Sequence, residues 1–272
     1  MDEALRALER RWRAGEPGAL EALARAHRQA GRELPWEVIA ALPRWEPLVD
    51  FAARWCAHPL SPEDGVPAEA IARKEAELGF RLPAALREWY RLVGVGLRQV
   101  YDIPTLLSDV RLRQDEEQDS AFASVRIFEE CHGHYMWVVA QADLDADDPP
   151  VLGSHDGEAH VPFTRHLSEF LTAMTYSSAA FIGYEMQESL IGALALGVHG
   201  AFFRRTEGLV ERYPRLPLVP LLGGNWGINS RWHGDEDTII ALSGESEIGS
   251  GVARTEAAWE KLRSTPGLEI ED

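Results

Sequence analysis

The spacing of apolar residues predicts helices at the start of the chain. Leu5, Leu8 and Trp12 recur at intervals of three and four, which places them on one face of a helix. A second apolar set follows, and Gly31 suits the end of that helix because glycine readily adopts a left-handed backbone. Residues 36–58 show helical spacing again, interrupted by prolines. The pattern therefore predicts a short N-terminal helical segment.

The stretch from Pro67 to Gly94 predicts two amphipathic helices that meet at a sharp corner. Pro67 and Pro83 suit the first turns of helices, where the missing N–H of proline costs nothing. Gly79 supplies a left-handed stop after the first helix, and Gly94 ends the second. The second helix has apolar residues at positions i, i+3, i+4 and i+7, namely Leu86, Trp89, Tyr90 and Val93. Both apolar stripes must be buried against a common layer.

Strand-like patterns follow the helical pair and supply that layer. Residues 124–131 and 134–141 are rich in Val, Ile and aromatics, and 151–163 resembles a hairpin turning at Asp156-Gly157. A helix then carries Leu167, Phe170, Leu171 and Met174 on one face, and a helix-rich segment is predicted over about 176–213. The remaining predicted elements are the short strands LVPLLG, NWGINSRW, DTIIALSG and IGSGVART and a helix around EAAWEKLR. The predicted fold class is α+β, a mostly antiparallel sheet with helices packed on it, preceded by the helical segment.

A proline-rich stretch, HPLSPEDGVP at 58–67, is the best candidate for a domain boundary. We therefore predict an N-terminal helical extension over 1–58 and an α+β domain over 59–272. Residues 186–272 either complete the sheet of that domain or form an appended part.

The charge balance excludes some classes of ligand and favours others. The chain has 27 basic and 44 acidic residues, a formal net charge of −17. Such a surface repels phosphate backbones, so nucleic acid is not expected as a ligand. It attracts cationic proteins, although an acidic surface also serves solubility alone.

The cysteines and the N-terminus indicate where the protein acts. Two cysteines, Cys56 and Cys131, are too few for a disulfide framework and suit a reducing compartment. The first fifteen residues are charged throughout and lack the apolar core of a secretory signal. The apolar run at 190–203 is too short to span a bilayer. The expected location is the cytoplasm, with no membrane association.

Three motifs in order carry a resemblance to a known family. They are ELGFRLPAALREWYRLVG, then a D-P-P-V turn at 148–151, then LSEFLTAM. This order is similar to that of the SUKH superfamily, also called the Smi–Knr family, and it covers about residues 60–185. The matching residues are Leu78, Gly79, Leu82, Pro83, Leu86, Trp89, Tyr90, Pro149, Pro150, Val151, Phe170 and Leu171.

The resemblance implies a binding protein and not an enzyme. Many bacterial members of the superfamily are regarded as immunity proteins that neutralise polymorphic toxins, and others as scaffolds or regulators. No shared catalytic centre is known for the family. The resemblance therefore implies a protein partner, no catalytic residue and no cofactor.

Sites for chemistry are weakly indicated in the sequence. The run from Asp143 to Asp148 lacks the glycine and glutamate that an EF-hand calcium loop needs, so a solvated acidic loop is favoured. His132 and His134 would share a strand face, but no third metal ligand lies at a useful spacing. Cys131 beside His132 would point to the opposite face, which disfavours a catalytic dyad. We predict no metal site.

Three acidic loops are the predicted partner-binding surface. If they meet at one edge of the sheet, they form a negative face that suits a basic toxin. Unrelated solvated loops are the alternative. Two alternative functions are an intracellular scaffold or regulator that assembles through the N-terminal helices, and a hydrolase that uses His132, His134 and Asp or Glu residues from a loop. The predicted binding residues are Asp115, Glu116, Glu117, Asp119, Asp143, Asp145, Asp147, Asp148, Asp235, Glu236 and Asp237.

Overall fold

A computed structural model confirms the α+β class, and its strands form two antiparallel sheets. The described residues are 3–56, 58–94, 102–114, 122–130, 133–155, 159–181, 199–204, 207–218, 221–223, 228–243 and 248–271.

The N-terminal segment is helical, as predicted. Its α-helices are α1 (Glu3–Arg13), α2 (Ala19–Gln29), α3 (Trp36–Ala40) and α4 (Glu46–Trp55). Pro35 immediately precedes α3, and Pro47 lies in the first turn of α4, where a proline removes no helical hydrogen bond. A 3₁₀ turn at Pro43–Trp45 introduces α4 and buries Trp45 completely.

The corner predicted between Pro67 and Gly94 is confirmed. Helix α5 (Ala68–Leu78) ends at Gly79, which has a left-handed φ of 76°. Helix α6 (Ala84–Val93) starts directly after Pro83 and buries the predicted apolar stripe. The same helix also buries a charged residue, Glu88, which is only 4% exposed.

The first sheet packs against these helices and against a later one. Its strands are β1 (Asp102–Pro104), β2 (Leu112–Gln114), β3 (Ala123–Glu130), β4 (Tyr135–Ala140), β5 (Val151–His155) and β6 (Val161–Thr164). They are antiparallel in the order β1-β3-β4-β5-β6, with β2 paired to β3. Helix α7 (Leu167–Phe181) follows, and its Phe170 contacts the rings of Phe128, Trp137 and Phe163.

The second sheet is formed by the last third of the chain. Its strands are β7 (His199–Arg204), β8 (Leu221–Gly223), β9 (Ile228–Asp235), β10 (Thr238–Ser243), β11 (Ile248–Ala253) and β12 (Glu269–Glu271). Their antiparallel order is β12-β7-β11-β10-β9-β8. Two further helices, α8 (Glu207–Arg212) and α9 (Glu256–Arg263), accompany this sheet.

Strand β7 corrects the sequence interpretation, which placed residues 199–204 in a helix-rich segment. In this strand Ala201 and Phe203 are buried while Phe202 is only partly buried, an alternation with the period of a strand. Pairing with β11 and β12 on its two sides makes the strand internal to the sheet.

A continuous core joins the N-terminal helices to both sheets. Leu23, Trp45, Trp89 and Phe170 belong to one buried cluster, which also contains residues from both sheets. Consecutive residues of β10 face opposite sides of the second sheet: Ile239 enters this core, whereas Ile240 enters a smaller cluster under α8 and α9. Residues on both sides of the proline-rich stretch at 58–67 thus share one interior.

Candidate functional site

The predicted partner-binding acids are only partly described. Asp115, Glu116, Glu117 and Asp119 lie outside the described residues. The other seven lie in two loops, Asp143, Asp145, Asp147 and Asp148 in the first and Asp235, Glu236 and Asp237 in the second.

The first acidic loop, between β4 and β5, is fixed by contacts within the chain. The carboxylate of Asp147 accepts a hydrogen bond from Arg28 Nη1 at 2.9 Å, and its carbonyl accepts one from the Ala85 N–H at 2.8 Å. Asp148 accepts from the N–H and the Oγ of Ser168 at 2.9 and 2.6 Å. Since Ser168 is in the first turn of α7, the Asp148 carboxylate stabilises the positive end of that helix.

The second acidic loop is the turn from β9 to β10. Asp235 accepts hydrogen bonds from Lys261 Nζ at 2.6 Å and from the Asp237 N–H at 3.1 Å. Asp237 accepts from Arg254 Nε at 2.8 Å. Arg254 in turn donates from Nη1 to the carbonyl of Arg54 at 3.2 Å, which holds this turn beside the C-terminal end of α4.

The two described loops therefore contribute to the fold through ion pairs and caps. Asp147, Asp148, Asp235 and Asp237 have partners inside the chain, which reduces the negative charge they offer to another molecule. Asp145 and Glu236 are exposed. That these loops bind a partner stays a prediction.

A buried carboxylate that the sequence interpretation missed joins four parts of the chain. Glu88 accepts hydrogen bonds from Trp45 Nε1 at 2.8 Å and from Arg44 Nε and Nη2 at 2.8 and 2.6 Å. Arg28 Nη2 donates to it at 3.3 Å, and the same guanidinium reaches Asp147. Since a buried charge must be paired and hydrogen-bonded, this cluster has a structural role.

A cleft of about 300 Å³ lies between α4, α7 and the second sheet. We call it the α4–α7 cleft. It is at the lower end of the range of about 300–1,000 Å³ that is typical of small-molecule pockets, so it suits one side chain or a group of similar size. Its apolar lining consists of Pro47, Phe51, Trp55, Tyr176, Leu216, Pro217 and Ile239.

The rim of this cleft carries mainly carboxylates. Glu46 and Asp50 are exposed on α4, and Asp235 is half-buried at the end of β9. Arg54 is the cation among the lining residues. Its guanidinium is 3.9 Å from the Asp50 carboxylate, and both side chains are about half exposed, so this ion pair is weak.

Two titratable groups at the cleft have shifted pKa values. Burial disfavours ionised Asp235, but hydrogen bonds from Lys261 and the Asp237 N–H outweigh it and lower the pKa of Asp235 below its usual value. Burial raises the pKa of Tyr176 to about 12, so this phenol is neutral at physiological pH. Its hydroxyl donates to the carbonyl of Pro47 at 3.2 Å, which ties α7 to the first turn of α4.

The residues considered for metal binding or catalysis are only partly described. Cys131 and His132 lie outside the described residues. His134 lies in the bend just before β4, and its ring centroid is 6.4 Å from that of His155, the last residue of β5. Across the described residues, no group of three or more His, Cys, Asp or Glu side chains is arranged to hold a metal ion.

The comparisons with known proteins leave the family open. No protein-family model, curated protein or solved structure matches this chain. The resemblance to the SUKH superfamily therefore rests on the sequence motifs. Within the described part of the chain, none of the helices has the length and apolar character needed to cross a bilayer.

Proposed function

We propose that this chain is a non-catalytic protein-binding module that acts as an immunity protein in the cytoplasm and neutralises a basic bacterial toxin domain. The observation that carries the proposal is the α4–α7 cleft, with its apolar lining and carboxylate rim. The net charge of −17 supports it, because long-range attraction speeds the association of a cationic partner. The toxin-neutralising role comes from the resemblance to the SUKH superfamily.

A second candidate is a scaffold or regulatory protein. It is favoured by α1, which fully buries only Leu5 and leaves most of its surface open for assembly. A hydrolase is less well supported, since it needs polar side chains that converge in one pocket, which the sequence does not require.

The test is capture by the full chain from an extract of the cell in which it is made, at about 0.05 M and about 0.5 M salt. We expect one basic protein to be retained at low salt and released at high salt, because screening weakens attraction between exposed charges. The captured protein is then expressed alone and together with this chain. Growth arrest by the partner, relieved by co-expression, is the expected result.

Two outcomes would contradict the immunity proposal. A captured protein that is harmless when expressed alone supports the scaffold or regulator instead. Capture that is insensitive to salt would contradict attraction between opposite charges as the basis of binding.

A variant of α1, Arg6→Glu, separates the two candidate functions. It should weaken assembly through the N-terminal helices and leave binding at the cleft unchanged.

A further inference from the structure

We infer that the α4–α7 cleft binds the side chain of an arginine presented by the partner protein. This inference rests on the proposed protein-binding function and adds the chemistry of the contact. The cleft is small, about 300 Å³, and combines apolar walls with a negative rim. A side chain with an aliphatic stem and a cationic head matches both properties.

The walls suit the stem of an arginine. Ile239 is almost fully buried at the base of the cleft, while Leu216 is half-buried and Pro217 is exposed at the side. The methylene groups of an arginine stem that pack along these side chains are removed from water, and this contact leaves no polar atom without a hydrogen bond. The half-buried ring of Tyr176 adds an aromatic face, on which a guanidinium stacks better than an ammonium does.

The rim suits the guanidinium. Glu46 and Asp50 are four residues apart on α4, so their carboxylates lie on the same side of that helix. Asp235 is already bonded to Lys261, which leaves the two carboxylates of α4 as the principal acceptors. Because Arg54 is only 3.9 Å from Asp50 in a weak exposed pair, an incoming guanidinium can displace it.

The chemistry of the cleft discriminates among possible side chains. A single carboxylate accepts two parallel N–H bonds from a guanidinium, which an ammonium group cannot supply in the same geometry. Lysine also loses more hydration on entering an apolar cleft. Citrulline has the shape of arginine without the charge, so it isolates the electrostatic part of the binding.

The experiment uses three short peptides, acetyl-Gly-X-Gly-amide with X as arginine, lysine or citrulline, titrated into the full chain labelled with ¹⁵N. We expect the arginine peptide to bind with a dissociation constant in the millimolar range, about 1 mM, and to shift the amide signals of Asp50 and Arg54 and the indole signal of Trp55. The lysine peptide should bind at least about threefold more weakly. The citrulline peptide should cause no shift.

Variants separate insertion into the cleft from general attraction to an acidic protein. Leu216→Trp fills the cleft without changing the charge and should abolish binding. Asp50→Asn should weaken it by about two- to fivefold. The matched control is Asp109→Asn, which makes the same change in net charge at an exposed position outside the cleft lining and should leave binding unchanged. If Leu216→Trp does not fold, Asp50→Arg serves in its place, because position 50 is exposed. This substitution puts a guanidinium at the rim of the cleft and should also abolish binding of the arginine peptide.

The inference is overturned if the three peptides bind alike, or if a folded cleft variant binds the arginine peptide as the unmodified chain does. The capture experiment tests the proposed function separately. If Leu216→Trp or Asp50→Arg still captures the basic partner fully, the cleft inference fails while the protein-binding proposal stands. If the unmodified chain captures no basic protein, the proposed function fails, whatever the peptides do.

Discussion

Replacement of Glu88 by alanine should lower the free energy of unfolding by about 3 kcal/mol, because it removes one side of a buried ionic cluster. The carboxylate is 4% exposed and accepts hydrogen bonds from Trp45, Arg44 and Arg28. These donors lie on α2 and on the turn before α4, so Glu88 links the N-terminal helices to α6.

The magnitude follows from what each donor loses. The indole N–H of Trp45 belongs to a fully buried residue, and leaving it unpaired costs about 1–3 kcal/mol. Removing one partner of a fully buried ion pair costs about 3–5 kcal/mol. Here Arg44 and Arg28 are 20% and 23% exposed, and Arg28 keeps Asp147, so the lower end applies. Glu88→Gln keeps the shape and one acceptor, and it should cost about 1–2 kcal/mol.

The assay is urea unfolding followed by tryptophan fluorescence, with the midpoint and the slope determined for each variant. Glu260→Gln is the matched control: it removes an exposed carboxylate that pairs with Arg263 and should cost less than about 0.5 kcal/mol. A loss of under about 1 kcal/mol for Glu88→Ala, or a loss equal to that of the control, would refute the structural role of the cluster.

Three further predictions concern close packing, pH and thiol reactivity. Gly65→Ala should destabilise the chain by more than about 2 kcal/mol, because the new Cβ would lie 1.8 Å from the carbonyl oxygen of Arg91. Burial lowers the pKa of His27, so the unfolded state binds more protons than the folded state below pH 6.5. The free energy of unfolding should therefore fall as the pH decreases in that range, by at most about 1.4 kcal/mol per pH unit, and urea unfolding measures it. Burial raises the pKa of the Cys56 thiol to about 11, so little reactive thiolate is present at neutral pH. In a Cys131→Ala variant, Cys56 should therefore react with a disulfide reagent about a hundredfold more slowly than a free cysteine does.

Each of these has its own control. Gly79→Ala introduces strain at a left-handed φ of 76° with open space around the new Cβ, so it should cost less than Gly65→Ala. His27→Gln should show a flatter dependence on pH; an unchanged slope would mean that other groups cause it. Urea should restore fast labelling of Cys56, and fast labelling of the folded protein would contradict the raised pKa.

The elements predicted best are those specified by neighbouring residues. Pro67, Gly79 and Pro83 set the corner between α5 and α6 through backbone geometry, which acts locally. The sequence left open whether the C-terminal strands complete the first sheet or form a separate part, because strand pairing depends on residues far apart in sequence. Strand β12 shows this, since its two glutamates have low strand propensity and its pairing with β7 determines its conformation.

The site was harder to predict than the fold. The α4–α7 cleft combines a helix near residue 50 with Tyr176, Leu216 and Ile239, and no single segment contains that information. One signal was present: Glu46 and Asp50 form a polar stripe on a helix beside a strip of aromatic residues. Glu88 could not be assigned, because one charged residue in an amphipathic helix does not reveal whether it is buried.

Strand β12 also has a consequence for self-association. Among the described strands it forms one of the two edges of the second sheet, opposite β8, and it covers the hydrogen-bonding edge of β7, which carries Phe202 and Phe203. A strand of three residues, two of them glutamate, is a poor template for another copy of the chain, since short charged edges resist further pairing. Separation of β12 from β7 would expose the edge of β7, with its aromatic residues, to pairing with another copy of the chain. A variant that loses the β12–β7 pairing should therefore aggregate, whereas the unmodified protein should stay dispersed.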